Sequence, residues 1–139
     1  MGRVGDAFEL ALAAHAGQTD KAGVPYIAHV VRVAAGVAGE EAQTVALLHD
    51  VVEDCDVTLA EIEARFGARI AASVDAITRR DGEAPDEYYS RVAADPLART
   101  VKLSDLADNG NPARLALLGP DQRARLEKKY AHAREMLGA

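Results

Sequence analysis

The sequence predicts an all-α domain. Three observations carry that expectation. Apolar residues recur at i, i+3, i+4, i+7 spacing, the strongest interruptions are Gly- and Pro-centred turns, and no stretch alternates apolar and polar residues long enough to make a strand. The composition agrees: of 139 residues, 49% are hydrophobic but only 4% aromatic. Much of the apolar content is alanine, the best helix former, so closely packed helices are expected. The length fits one domain spanning residues 1–139, with no repeat, low-complexity tract or dividing linker.

The first helix is expected from Val4 to Gly17, with Phe8, Ala11, Leu12 and His15 along one face. A polar loop follows from Gln18 to Gly23. Pro25 opens a second helix, a position that tolerates a missing N–H. Its apolar face is Ile27, Val30, Val31, Ala34 and Val37, and Gly39 ends it. The third helix is expected to run unbroken from Glu40 to Asp54 and is apolar on most sides, which suits a central position. Thr58 and Glu61 form a capping box that starts a short helix to Phe66. Gly67 separates it from a helix reaching Thr78. After the polar loop Arg79–Ala84, Pro85-Asp86 starts a helix to Ala94, and Asp95-Pro96 starts another to Asp108. Asn109 to Pro112 is a turn cluster. A helical turn over Ala113–Leu118 precedes the last helix, from Pro120 to Leu137.

A net charge of −6 argues against holding DNA or RNA by general attraction. It leaves room for a small anion beside a bound cation, which can dominate the local field. The single cysteine, Cys55, cannot pair within the chain, as expected in a reducing cytoplasm. Asp6, Glu9 and His15 interrupt the start of the chain, so no secretory leader is expected there. No segment is apolar for the ~20 residues a membrane span needs. Cys55 is expected to be a small, half-buried residue.

The third helix carries an anomaly. His49, Asp50, Glu53 and Asp54 interrupt or directly follow the most apolar stretch of the chain. Burying a carboxylate without a partner is costly, and a metal ion is the partner that suits several acids and a histidine together. On a helix, Glu53 lies one turn on from His49 and Asp50, and Asp54 one turn on from Asp50. That places two carboxylates where a general base or an orienting group belongs. Two more ligands are needed. His29 lies beside Tyr26 and Val33 on the second helix, and Asp105 ends an apolar row with Leu97 and Val101. Two imidazoles and two carboxylates suit manganese, iron or zinc better than calcium. One open position would hold a water whose pKa the metal lowers from about 15.7 towards neutrality.

The order of these residues resembles the HD superfamily of metal-dependent phosphohydrolases: a histidine, then His-Asp, then a distant aspartate. The blocks Gly17-Gln18, Lys21 to His29, Ala46 to Asp54, Phe66-Gly67 and Val101 to Asp105 look like the hydrolase domain of RelA/SpoT-type proteins. They are most similar to the small stand-alone (p)ppGpp hydrolases. The resemblance implies an HD-domain helical bundle. It also implies His29, His49, Asp50 and Asp105 as ligands of one divalent ion, usually manganese. Glu53 and Asp54 match the acidic pair that positions or deprotonates the attacking water. Lys21, Asn109 and Tyr130 match substrate-binding positions. The implied reaction releases pyrophosphate from the 3′ position of guanosine tetra- or pentaphosphate, a degradative activity. The expected partner is a small nucleotide, with no membrane or nucleic acid, and room for a homo-oligomer.

The chain departs from that pattern in places. Asp20 stands where the family often has an arginine stacked on the base; an acid cannot stack in that way and would repel phosphate. Val30 follows the first histidine where proline is common, and Leu106-Ala107-Asp108-Asn109 replaces the usual run after the last ligand. Two other readings stand beside the first: an HD phosphohydrolase for another nucleotide, such as a dinucleotide cofactor phosphate, and an inactive nucleotide-binding regulatory module. Lys102, Arg79, Arg80 and Arg114 are candidate phosphate contacts, each expected first as a solvated surface charge; His15 is a candidate brace for the site, expected first as a core histidine bonded to backbone; His132 is expected on the surface.

Overall fold

A computed structural model describes residues 2–139, all helices and connecting loops. The helical segments, in order, are α1 (Gly2–Ala14), α2 (Tyr26–Ala35), α3 (Glu40–Leu48), α4 (Val51–Asp54) and α5 (Leu59–Phe66). They continue with α6 (Ala68–Ile77), α7 (Pro85–Ala94), α8 (Pro96–Asn109), α9 (Pro112–Leu115) and α10 (Pro120–Met136). No strand occurs among the described residues; an isolated antiparallel bridge joins Thr19 to Pro25.

Helix α3 is the hub. It packs against α1, α2, α6 and α8, and its Val45, Ala46, Leu47 and Leu48 are all buried. Ala7 and Ala11 face it from α1 with no exposure, so the small residues set a close approach. That contact turns α1 away from the face read from the sequence: Phe8 and Leu12 are 39% and 47% exposed. Val31 of α2 is likewise exposed, while Val30 and Val33 are buried. Alanine outcompetes Phe8 and Leu12 because a short side chain lets two backbones close and bury more of both helices.

Local signals end most helices where expected. Thr58 Oγ1 accepts the Glu61 N–H at 3.2 Å and Glu61 returns an acceptor to the Thr58 N–H at 2.9 Å, completing the capping box. Gly67 has φ +93°, a left-handed conformation that separates α5 from α6. Asp95 caps α8 through the Ala98 N–H at 3.0 Å and also accepts the Ser73 hydroxyl, tying α6 to the α7–α8 corner. Ser104 of α8 donates to the Val33 carbonyl at 2.8 Å and locks α8 onto α2.

The expected unbroken helix from Glu40 to Asp54 does not exist. It stops at Leu48 and resumes at Val51, leaving His49 and Asp50 in the break. The His49 ring explains the stop. Its Nδ1 lies 2.6 Å from the Ala46 carbonyl, the group that a continuing helix would give to the Asp50 N–H. The apolar run hides this break, because periodicity is unchanged across it.

Candidate metal centre

Helix α2, the break that follows α3 and helix α8 bring His29, His49 and Asp105 together in the core. Their exposures are 1%, 2% and 5%, and one donor atom from each lies within 4.8 Å of the others. His29 Nε2 is 2.8 Å from Asp105 Oδ1, and His49 Nε2 is 3.4 Å from the same oxygen. Asp50 adjoins from the other side, its Oδ2 2.9 Å from His49 Nε2. Tyr26 donates a short hydrogen bond to that oxygen and fixes the carboxylate.

Hydrogen-bond partners assign the protons on both rings. A carbonyl only accepts, so His49 Nδ1 carries a hydrogen towards Ala46. His29 Nδ1 lies 2.6 Å from Asp108 Oδ2 and donates to it. In each neutral ring this leaves the Nε2 lone pair facing carboxylate oxygens. Buried His49 Nε2 has these carboxylate oxygens nearby but none aligned as a hydrogen-bond partner among the described residues. Two lone pairs and two carboxylates at close range require a positive charge between them. A divalent ion fits that donor set, with each imidazole steered by an acceptor on its other nitrogen.

The electrostatics agree. Burial alone would lower the His49 pKa, yet the Asp50 and Asp105 carboxylates drive it well above the usual value. For Asp105, burial is overcome by Lys102, His29 and His49, which hold the carboxyl well below its ordinary range. Asp50 is lowered too: burial opposes ionisation but His49 and Tyr26 favour it. Asp54 moves the other way, to about 6, through partial desolvation and the charges of Asp50 and Glu53.

One cavity opens onto this cluster and a second lies beside it. A polar cavity of about 160 Å³ is lined by His49, Asp50, Glu53, Arg79, Lys102, Asp105 and Lys129. A larger one of about 310 Å³ is lined by Asp20, Lys21, Tyr26, Arg114, Leu118 and Leu126. Asn109 and Tyr130 line both, so the two are neighbours across those side chains. Glu53 Oε1 accepts the Arg79 N–H at 2.8 Å. Asp54 lines neither cavity.

Several expectations need correcting. Lys102 is not a solvated charge: its side chain is 17% exposed, its Nζ is 2.9 Å from Asp105 Oδ2, and it sits over the Tyr88 ring. Arg114 is 22% exposed and bridges Asp20, Asp108 and Asn109 at 3.0, 2.8 and 3.0 Å. Arg79 also lies over Tyr88, while Arg80 pairs with Asp75 on the exposed side. His15 is buried but bonds the Gln18 side chain at 2.8 Å, not backbone, with Cys55 Sγ 3.5 Å away. His132 is half exposed and pairs with Asp86, and Cys55 is half-buried, both as expected. Sequence reasoning missed Asp108, Arg114 and Tyr26. Only the tight Asp105–Asp108–Asn109 spacing on α8 hinted at the first.

Comparison with known proteins places the chain. Residues 7–96 match the HD domain family. The match contains His29, His49 and Asp50, and the fold carries Asp105 of α8 to them. A Vibrio cholerae guanosine-3′,5′-bis(diphosphate) 3′-pyrophosphohydrolase is 35% identical over 144 residues, covering 90% of this chain and 20% of that protein. An Aquifex aeolicus protein of the same name is 39% identical over 115 residues, covering 74% of this chain and 16% of its own length. The chain thus spans about a fifth or less of the curated relatives it matches. Among solved structures, one described as "A metazoan ortholog of SpoT hydrolyzes ppGpp and plays a role in starvation responses" superposes with a TM-score of 0.84 at 24% identity. That superposition covers 99% of this chain and 86% of the other. A matched sequence over most of the helical core, and a His, His-Asp and Asp set brought to one point, make this chain a member of the HD-domain family.

Proposed function

We propose that the chain is a metal-dependent phosphohydrolase that removes the 3′-pyrophosphate from (p)ppGpp, with Mn²⁺ as its ion. The observation that carries this reading is the meeting of the His29, His49 and Asp105 donors with a cavity walled by Arg79, Lys102 and Lys129. The names of the relatives supply the substrate. His29, His49, Asp50 and Asp105 would hold the ion, and their mixed N/O donors suit manganese. When bound, the ion supplies an acidified water and positive charge for the phosphoryl group.

The chain's own groups do the rest. Glu53, beside His49 and Asp50, orients the attacking water and accepts its proton through the oxygen not committed to Arg79. Asp54 lines neither cavity and would act on the water only through Asp50 and Glu53, the carboxylates beside it. The departing pyrophosphate is held by Lys102, Arg79 and Lys129. Mutual repulsion is part of their setting: partial desolvation, then Lys102, Arg79 and Lys21, lower the Lys129 pKa. An anion relieves that repulsion. Lys21, Asn109 and Tyr130 line the path along which the nucleoside would lie. This reading places a single small-nucleotide hydrolase domain in the cytoplasm. No helix among the described residues is long and apolar enough to cross a membrane.

The test is a nucleotide panel with added Mn²⁺, the Asp50→Ala variant serving as control. Release of pyrophosphate from ppGpp, absent in the variant, supports the reading. Turnover of another nucleotide with ppGpp untouched, or unchanged turnover in the variant, overturns it.

A further inference from the structure

We infer that Arg114 determines which nucleotide this site accepts, by giving the base a fixed planar cation to lie against, and that Asp20 positions it. The inference rests on the nucleotide reading above.

Asp20 is fully occupied. Its Oδ1 accepts the Ala22 and Val24 N–H groups at 2.9 and 3.0 Å, and its Oδ2 accepts from Arg114 at 3.0 Å. The carboxylate that sequence reasoning expected to repel phosphate is therefore a tether. On the other side, Arg114 Nη1 donates to Asp108 Oδ2 at 2.8 Å and to Asn109 Oδ1 at 3.0 Å, and lies 3.2 Å from His29 Nδ1. Both terminal nitrogens are thus pinned, one to the loop before α2 and one to the end of α8. The flat guanidinium lining the larger cavity cannot swing away.

Charge separates the two ends of the site. Arg114 is neutralised by two carboxylates, Asp20 and Asp108. Among the described residues no carboxylate pairs with Arg79 or Lys129, which line the polar cavity. Asp50, Glu53 and Asp105 line that second cavity too, so a bound divalent ion would tip it positive and draw phosphates there and not to the first. The first offers a held guanidinium with Tyr26, Tyr130 and Leu118 around it. A planar cation beside aromatic and aliphatic surface is the setting in which a heteroaromatic ring stacks. A purine, with two fused rings, gains more from it than a pyrimidine.

The test measures binding without turnover. Guanosine 5′-diphosphate, cytidine 5′-diphosphate and inorganic pyrophosphate are titrated separately into the Mn²⁺-loaded protein by calorimetry. The wild-type chain binds the guanosine nucleotide more tightly than the cytidine one. Arg114→Lys and Arg114→Gln weaken guanosine nucleotide binding by roughly 5- to 100-fold, the range a lost stacking partner costs. Pyrophosphate affinity and metal content fall by a much smaller factor than guanosine nucleotide affinity, because Arg32 still holds Asp108. Asp20→Asn keeps acceptors for the loop amides but loosens Arg114, and falls between. If Arg114 only braced Asp108 and His29, metal content and pyrophosphate binding would fall together with the nucleotide, which overturns the inference. Equal affinity for both nucleotides, or no guanosine nucleotide binding by the wild type, overturns it as well. A chain that binds guanosine diphosphate through Arg114 yet leaves ppGpp intact refutes the catalytic reading and supports this one.

Discussion

Asp108 Oδ2 lies 2.6 Å from His29 Nδ1, and this contact decides which nitrogen of the ring is free to bind a cation. The proton is held on Nδ1 and the Nε2 lone pair is turned towards Asp105. Arg32 and Arg114 hold the Asp108 carboxylate in turn, at 2.7 and 2.8 Å. An acceptor behind a ligating histidine typically changes metal affinity by about 10- to 100-fold. Asp108→Ala is therefore expected to weaken Mn²⁺ binding by that factor. Competition against a chelator of known affinity checks it, with circular dichroism confirming that α8 is intact. An unchanged dissociation constant rules out this role.

Tyr26 makes a comparable prediction for the other carboxylate. Its hydroxyl donates to Asp50, and burial followed by the Asp50 charge raises the Tyr26 pKa, so it stays a donor at every working pH. A hydrogen bond to a charged group is worth about 1.5–3 kcal/mol. Tyr26→Phe is expected to lower kcat roughly tenfold or more while the protein remains folded. Full activity in that variant would show that Asp50 needs no such partner.

A third prediction concerns the loop that carries Arg79. Glu83 accepts a short hydrogen bond from Arg91, and Arg91 also donates to the Thr78 carbonyl at 2.9 Å, closing the loop. That partner, offset in part by desolvation, takes the Glu83 pKa from an ordinary 4.5 to about 2. A depressed carboxyl pKa stabilises the fold above the unfolded value and loses that effect as pH falls through the folded one. Glu83→Gln should lower the urea midpoint at pH 7, and the gap from wild type should narrow between about pH 4.5 and 2. A gap that is constant with pH would disconnect Glu83 ionisation from stability.

The residue before His49 tests how far the core supports the site. Leu48 has no exposure and precedes His49. Leu48→Ala leaves a cavity at the end of α3 and is expected to cost about 2–5 kcal/mol. Chemical denaturation measures it; a loss under ~1 kcal/mol would mean the site collapses around the smaller side chain.

Much of this was legible in the sequence, for reasons that differ by residue. Gly67, the Thr58–Glu61 box and Asp95-Pro96 are local signals, and they act locally. His49-Asp50 was conspicuous because polar groups inside an apolar run need a partner. The break at His49 was not legible, because it arises from one ring capturing a carbonyl three residues back. Asp108 and Arg114 were invisible for another reason. They acquire their partners from His29 and Asp20, 79 and 94 residues away respectively, and no spacing rule spans such distances. Lys102 was misread because a lysine next to an apolar face usually reaches solvent; here Asp105 and the Tyr88 ring hold it in.

The capture of the Ala46 carbonyl by His49 has a consequence for loading. The ring is already frozen by a bond to the hub helix, and the His29 ring by one to Asp108, before any ion arrives. The conformational entropy of ordering both imidazoles is then spent during folding and not at capture. Arrival of the ion should leave amide exchange along α3 nearly as slow as before. The break gives up regular backbone hydrogen bonding after Leu48, and the Ala46 carbonyl it frees holds the receptor ring rigid while it waits.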